Sequence, residues 1–317
     1  MDVLLEKAIA GFHLSNEAKG LSNRTITWYN SNLLLFQKWV IKELDHSPKI
    51  EEVTTDQVRR YFTGLRTTTT AYEDHPYHPQ EARPLSPSSI CGYYTSLSSF
   101  FNWALREELI TNSPMKNVPR PKVPKFIPDP FFEEEIRALL KGCKELPEES
   151  SIRAQAIILV LLDTGMRMSE LLNMQLANLN LELGQAKVLG KGAKERFVYI
   201  GKSTKRALWR YISLTPAEPA LGADNVFLSE EGRPLTQRYL AHILDKVSKW
   251  SGVEKVHPHR FRRTAAIQFL RNGGNIFALQ KLLGHETLDM VRHYVELASS
   301  DVAKAHQLAS PVDGWRL

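Results

Sequence analysis

Only two cysteines, Cys91 and Cys143, occur in the 317 residues. They stand in segments that read as helical, without metal-ligand spacing, so neither a disulfide framework nor a zinc site is indicated. Long apolar runs are missing too. The longest, Ala156 to Leu162, falls far short of the roughly 18 residues that suggest a membrane span. The opening "MDVLLEKAIAGF" contains acids and no apolar core, so no export leader is expected. These absences predict a protein of the reducing cytoplasm with no membrane partner. Strong charge of one sign is also absent: the net charge is +6 and the pI near 9.2, which permits a nucleic-acid partner without demanding one.

The charge that exists is unevenly placed. Residues 1–130 hold 15 Lys and Arg against 14 Asp and Glu, and residues 131–317 hold 26 against 21. Asn112–Phe126 has Lys116, Arg120, Lys122 and Lys125 and no acid. The same stretch, "NSPMKNVPRPKVPKFIPDP", has six prolines to Pro130 and reads as a stiff, extended linker. It divides the chain into residues 1–111, 112–130 and 131–317.

The first part reads as a helical bundle. "LSNRTITWYNSNLLLFQKWVIKEL" places Trp28, Leu33, Leu34, Phe36, Trp39 and Val40 at helical spacing behind a Ser22 cap. "TTDQVRRYFTGL" has a capping box of Thr54 and Gln57 and a Gly64 stop. "LSPSSICGYYTSLSSFFNWALREEL" has Ser86 as cap and Pro87 in the first turn. Residues 67–84 show no periodicity and read as a loop, with His75 and His78 in no frame that would hold a metal.

In the second part, Asp129-Pro130 is a cap and first-turn pair for "FFEEEIRALLKGC", and a buried helix, "RAQAIILVLLDTG", ends at Gly165. "AKVLGKGAKERFVYIG" alternates apolar and polar residues around a glycine turn, a β-hairpin pattern. Segments near 203–214, 236–250, 259–272, 275–283, 287–297 and 300–308 read as helices. The predicted class is mainly α (α+β): a helical domain linked to a mostly helical one with a small antiparallel sheet.

Several residues carry chemistry worth weighing. Arg167 projects from the corner after Gly165, with Glu170 three residues on, able to orient its guanidinium. Lys191 lies between two glycines of the hairpin turn, with Lys194 and Arg196 beside it. In "HPHRFRRTAA", His259 and Arg262 share one face of a helix start, and Arg260 and Arg263 lie on neighbouring faces, where they could grip a DNA backbone. His285 follows a helix stop at Gly284, and Tyr294 lies two turns into the next helix. Each admits a plainer reading: a surface Arg–Glu pair, a solvated turn, a basic helix start, a core tyrosine.

Their order is more telling. Arg167, Lys191, His259-x-x-Arg262, His285 and Tyr294, with "TGMRMSEL", "GKGAKER" and "LLGHETLDMVRHYVEL" around them, resemble the catalytic set of the tyrosine recombinases. One departure is Arg263, where many relatives have a second histidine. The resemblance implies a helical core-binding domain followed by a catalytic one. It implies a site-specific DNA recombinase or integrase using Tyr294 as nucleophile, His259 as proton acceptor and Lys191 as general acid. Arg167, Arg262 and His285 would stabilise the phosphate, with Glu170 supporting. Lys116, Arg120, Lys122, Lys125, Lys194, Arg196, Arg260 and Arg263 would contact DNA. No metal or other cofactor is expected. The implied partners are duplex DNA with paired half-sites, further copies in a tetrameric synapse joined by the tail after Tyr294, and in some systems DNA-bending proteins, all at the nucleoid. No separate arm-site domain is expected before residue 11. A type IB topoisomerase, a telomere resolvase and a catalytically silent DNA-binding protein are the alternatives.

Overall fold

The computed structural model describes residues 2–68, 83–124, 129–190, 195–214, 219–220, 222–284, 287–288, 291, 294 and 310. The chain divides into two compact units, Met1–Phe126 and Ile127–Leu317.

The first unit contains helices α1 (Leu5–Ala18), α2 (Asn23–Leu44), α3 (Thr55–Thr67) and α4 (Pro87–Arg106). Ser22, Thr54 and Ser86 each accept the backbone N–H three residues on, which satisfies a donor that the first turn leaves free. Helix α1 was not distinguished in the sequence. It brings Leu5, Ala8, Ile9 and Phe12 into the core, where Phe12 meets Phe100 edge-on at 5.7 Å. Two sequence expectations are corrected. Gly64 does not stop α3: its carbonyl accepts the Thr68 N–H, and the helix continues to Thr67. Trp28 and Leu34 do not line the buried face of α2, being 41% and 43% exposed, while Leu33, Phe36 and Val40 are buried.

The proline-rich segment also begins differently. Met115 and Val118 are buried in the first unit's core, the Tyr94 hydroxyl donates to the Val118 carbonyl at 3.1 Å, and Pro121 is buried. The linker expected from residue 112 is therefore anchored to this unit through its first ten residues. Lys116, Arg120 and Lys122 are exposed along it, and Lys125 lies outside the described residues.

The second unit is built on α6 (Glu148–Thr164), whose Ala154, Ala156, Ile157, Ile158, Val160 and Leu161 are buried. Around it stand α5 (Glu133–Gly142), α7 (Met168–Leu172), α8 (Lys202–Leu214), α9 (Gln237–Ser251), α10 (Pro258–Arg271) and α11 (Ile276–Leu283). Helices α8 and α10 pack directly on α6. Strands β1 (Leu179–Asn180), β2 (Gln185–Leu189) and β3 (Glu195–Tyr199) form an antiparallel sheet in that order. Ala186, Val188 and Val198 face the core, while Leu189, Phe197 and Tyr199 face outward. Cys143 is buried, which pushes its thiol up to about 12, so it is an inert core residue.

Asp129-Pro130 is not the cap of α5. The helix starts at Glu133, and Glu135 accepts the Phe132 N–H at 2.8 Å. The preceding chain is held extended instead: the Phe131 N–H donates to Thr264 Oγ1 at 2.8 Å, and the Phe131 ring packs on Phe261. The helices expected at 287–297 and 300–308 fall almost wholly outside the described residues. No described helix is long and apolar enough to cross a membrane.

Candidate active site

Three helix ends converge in the second unit. Helix α6 closes on Gly165 (φ +59°), a left-handed position that favours glycine. A Cβ there would also come 2.9 Å from Leu283 Cδ2. Two residues on, Arg167 caps α7, and Glu170 accepts the Arg167 N–H at 2.7 Å while its other oxygen accepts Arg167 Nη1 at 3.0 Å. Arg262, on the second turn of α10, donates Nη1 to the Gly165 carbonyl and Nη2 to the Leu283 carbonyl, both at 2.8 Å. Arg167 Nη2 donates to the Gly284 carbonyl at 3.1 Å. Arg196, from β3, donates Nη1 to the Leu282 carbonyl and Nη2 to Glu170 Oε2 at 2.7 Å.

The last carbonyls of α11 are thus each met by a guanidinium. Helix ends leave such carbonyls unpaired and carry partial negative charge, so three cations suit them. Neutral carbonyls orient a guanidinium but do not cancel its charge. Glu170, 1% exposed, is the carboxylate paired with Arg167 and Arg196. Arg167, Arg196 and Arg262 are thus gathered around the buried Glu170 carboxylate. Burial, then the neighbouring Arg167, pushes Arg262 down to about 10. A cluster of guanidiniums suits the negative charge that develops in the transition state of a phosphoryl transfer.

His259 is exposed one turn before Arg262. Burial of part of its ring, then the charges of Arg262, Arg263 and Arg167, lower its pKa, so it is neutral at pH 7 and free to accept a proton. Tyr294 is half-buried against Ala266, Leu279, Leu283 and Val291, and its electrostatic influence reaches Arg262. The structure thus brings together Arg167, Glu170, His259, Arg262 and Tyr294. Lys191, Lys194 and His285 lie outside the described residues, although His285 directly follows Gly284 in sequence. Among the described residues no group of His, Cys, Asp or Glu could hold a metal ion.

Two expected DNA contacts are corrected. Arg260 is buried: it grips both oxygens of Glu135 at 2.7 and 2.8 Å, donates to the carbonyls of Asp129 and Glu254, and lies 3.9 Å over the Phe131 ring. It braces the start of the unit and is not available to a DNA backbone. Arg196 is committed to Glu170 and α11, as described. The alternation of β3 carried that signal, because Arg196 shares a face with the buried Val198. Arg263 is half-buried beside His259. His257 was missed: it caps α10 by accepting the Arg260 N–H on Nδ1 at 3.2 Å. Its position just before Pro258, at the first helical residue, is an N-cap signal.

Gly284 completes α11 at φ +64°, and a Cβ there would lie 2.9 Å from Arg196 Cδ and 3.1 Å from its Nε. Gly284→Ala should cost about 1–2 kcal/mol in backbone strain alone, and should also displace Arg196. A lowered urea midpoint is the expected result; an unchanged one would show that the turn tolerates a side chain.

The sequence profile described as the phage integrase family matches residues 131–301, more than half of the chain. The sequence is 34% identical over 295 residues to the tyrosine recombinase XerC of Leptospira interrogans, covering 92% of this chain and 89% of the relative. The fold resembles that of the Tn1549 transposon integrase in complex with a circular intermediate DNA (TM-score 0.74, 18% identity, 97% and 99% of the two chains). It also resembles a lambda integrase tetramer bound to a Holliday junction (TM-score 0.69, 18% identity, 92% and 77%). The chain belongs to the phage integrase family and is a tyrosine-type site-specific DNA recombinase. The topoisomerase, telomere-resolvase and silent-protein readings are not favoured.

Proposed function

We infer that this recombinase cuts and rejoins DNA through a covalent 3′-phosphotyrosyl intermediate on Tyr294. The observation that carries the reading is the convergence of the Arg167 and Arg262 guanidiniums on the end of α11, beside His259 and Tyr294. The Tyr294 oxygen attacks phosphorus while His259 accepts the phenolic proton. The bond from phosphorus to the 5′-oxygen breaks, and Lys191 gives that oxygen a proton. Arg167 and Arg262 offset the charge on the non-bridging oxygens with planar forks, and His285 adds a hydrogen bond. A phenol, of pKa about 10, is itself a workable leaving group, so a 5′-hydroxyl reverses the step without a nucleotide cofactor.

The recognition scheme is a clamp on duplex DNA. The first unit acts as the core-binding domain and residues 131–317 as the catalytic one, with Lys116, Arg120, Lys122, Lys125, Lys194 and Arg263 on the backbone. The tetrameric likeness and the tail after Tyr294 support a synapse of four copies on paired half-sites, at the nucleoid, with DNA-bending proteins as accessories in some reactions. The test is a nicked suicide substrate labelled on either side of the break. Label on the 5′ side of the break should remain with the protein, and the other fragment should bear a free 5′-hydroxyl. Retention of the opposite fragment would reverse the assigned polarity.

A further inference from the structure

Arg196 lies opposite Val188 in the β2–β3 register and points to the inner face of the sheet. Its guanidinium spans both oxygens of Glu170, Nη2 to Oε2 at 2.7 Å and Nε to Oε1 at 3.3 Å. A carboxylate held side-on at both oxygens cannot rotate about its own axis. The same oxygens orient Arg167, through its backbone N–H and its Nη1. A ring then closes through the end of α11. Arg167 Nη2 reaches the Gly284 carbonyl, and Arg196 Nη1 reaches that of Leu282, two residues earlier. All three nitrogens of Arg196 have protein acceptors.

The geometry points to Arg196 as a positioning residue for strand cleavage: it fixes Glu170, and through it the Arg167 guanidinium, without touching the phosphate. This rests on Arg167 acting on the non-bridging oxygens, as proposed above. A guanidinium displaced by an ångström loses most of its effect, and misplacement on that scale costs about 10²-fold in rate.

The test compares single-turnover cleavage of two suicide substrates by the full-length protein at saturating concentration. One has the ordinary scissile phosphodiester. In the other, a methylphosphonate replaces one anionic non-bridging oxygen with a neutral methyl, so correct placement of the arginines matters less. Arg196→Met should lose about 10²-fold on the phosphodiester and fall within about 10-fold of the native protein on the methylphosphonate. Arg196→Lys keeps the charge but not the fork and should show a smaller loss, relieved in the same way. It supplies the comparison if Arg196→Met does not fold. Arg167→Ala is the control. If its defect is relieved on the methylphosphonate and that of Arg196→Met is equal on both substrates, Arg196 is only a brace for the fold and the inference fails alone. If Arg167→Ala is not relieved, the reading of Arg167 fails and the inference with it. A drop of about one unit in the salt slope of half-site binding by Arg196→Met would mean that it contacts DNA directly, which also overturns the proposal.

Discussion

Tyr294→Phe is expected to bind a DNA half-site as the native protein does and to form no covalent adduct. The ring packs against the apolar cluster of Ala266, Leu279, Leu283 and Val291, and phenylalanine keeps that apolar packing. What is lost is one oxygen. Strand exchange without an energy source requires that the broken phosphodiester be stored as another ester, so losing the attacking hydroxyl removes the step itself. Removal of a nucleophile from a concerted set costs at least about 10⁴-fold. The contrast between unchanged binding and absent cleavage separates this role from a packing role, which would weaken both together. Residual adduct at more than a small fraction of the native rate would assign the attack elsewhere.

Glu170→Ala is expected to have the largest effect on stability. Its carboxylate is nearly inaccessible and accepts bonds from Arg167 and Arg196. Removing it leaves Arg167, Arg196 and Arg262 close together without that counter-charge, and breaking a buried pair from one side typically costs 3–5 kcal/mol, here about the upper part of that range. The pH dependence gives a second check. Burial alone would raise the Glu170 pKa, but the hydrogen bond and charge of Arg196, with those of Arg167, more than offset it, and the net shift is downward from 4.5. The folded state therefore releases this proton more readily than the unfolded state. The resulting stabilisation is present above pH 4.5 and is lost as pH falls through the lower folded value. The stability gap between the native protein and Glu170→Gln should narrow over that acid range. A gap that stays constant would show that the carboxylate does not bear on its arginines.

Much of this architecture is written in local signals. Ser22, Thr54 and Ser86 mark helix starts because each hydroxyl satisfies a backbone N–H that nothing else in the first turn can, and a short polar residue before an apolar run reports that need. Gly165 and Gly284 mark helix ends because a left-handed residue closes each one. What local signals missed was decided by distant partners. Asp129-Pro130 looks like a helix start, yet Thr264 and Arg260, more than 130 residues away, hold that chain extended. Arg260 looks like a surface cation because nothing near it in sequence shows that Glu135 and Phe131 will enclose it. Arg196 differs, since the two-residue alternation of β3 already placed it inward with Val198. Its neighbours in a basic turn obscured that.

The site was legible for a related reason. Arg167, Glu170, His259 and Arg262 are fixed by short-range geometry: a corner after a helix stop, a capping carboxylate, and one face of a helix start. Their convergence depends on α6 and α11 ending beside the start of α10, which no single segment reveals. The carbonyls of Leu282, Leu283 and Gly284, which orient all three arginines, have no side-chain signature at all.

The claim that Tyr294 is the nucleophile is tested most directly by mass spectrometry of the trapped adduct after digestion with trypsin and nuclease. Cleavage after Arg292 and Lys304 gives the peptide "HYVELASSDVAK", residues 293–304. The account predicts a nucleotide phosphate remnant on that peptide, with fragment ions placing it on Tyr294. A remnant on Ser299, Ser300 or any other peptide would contradict it.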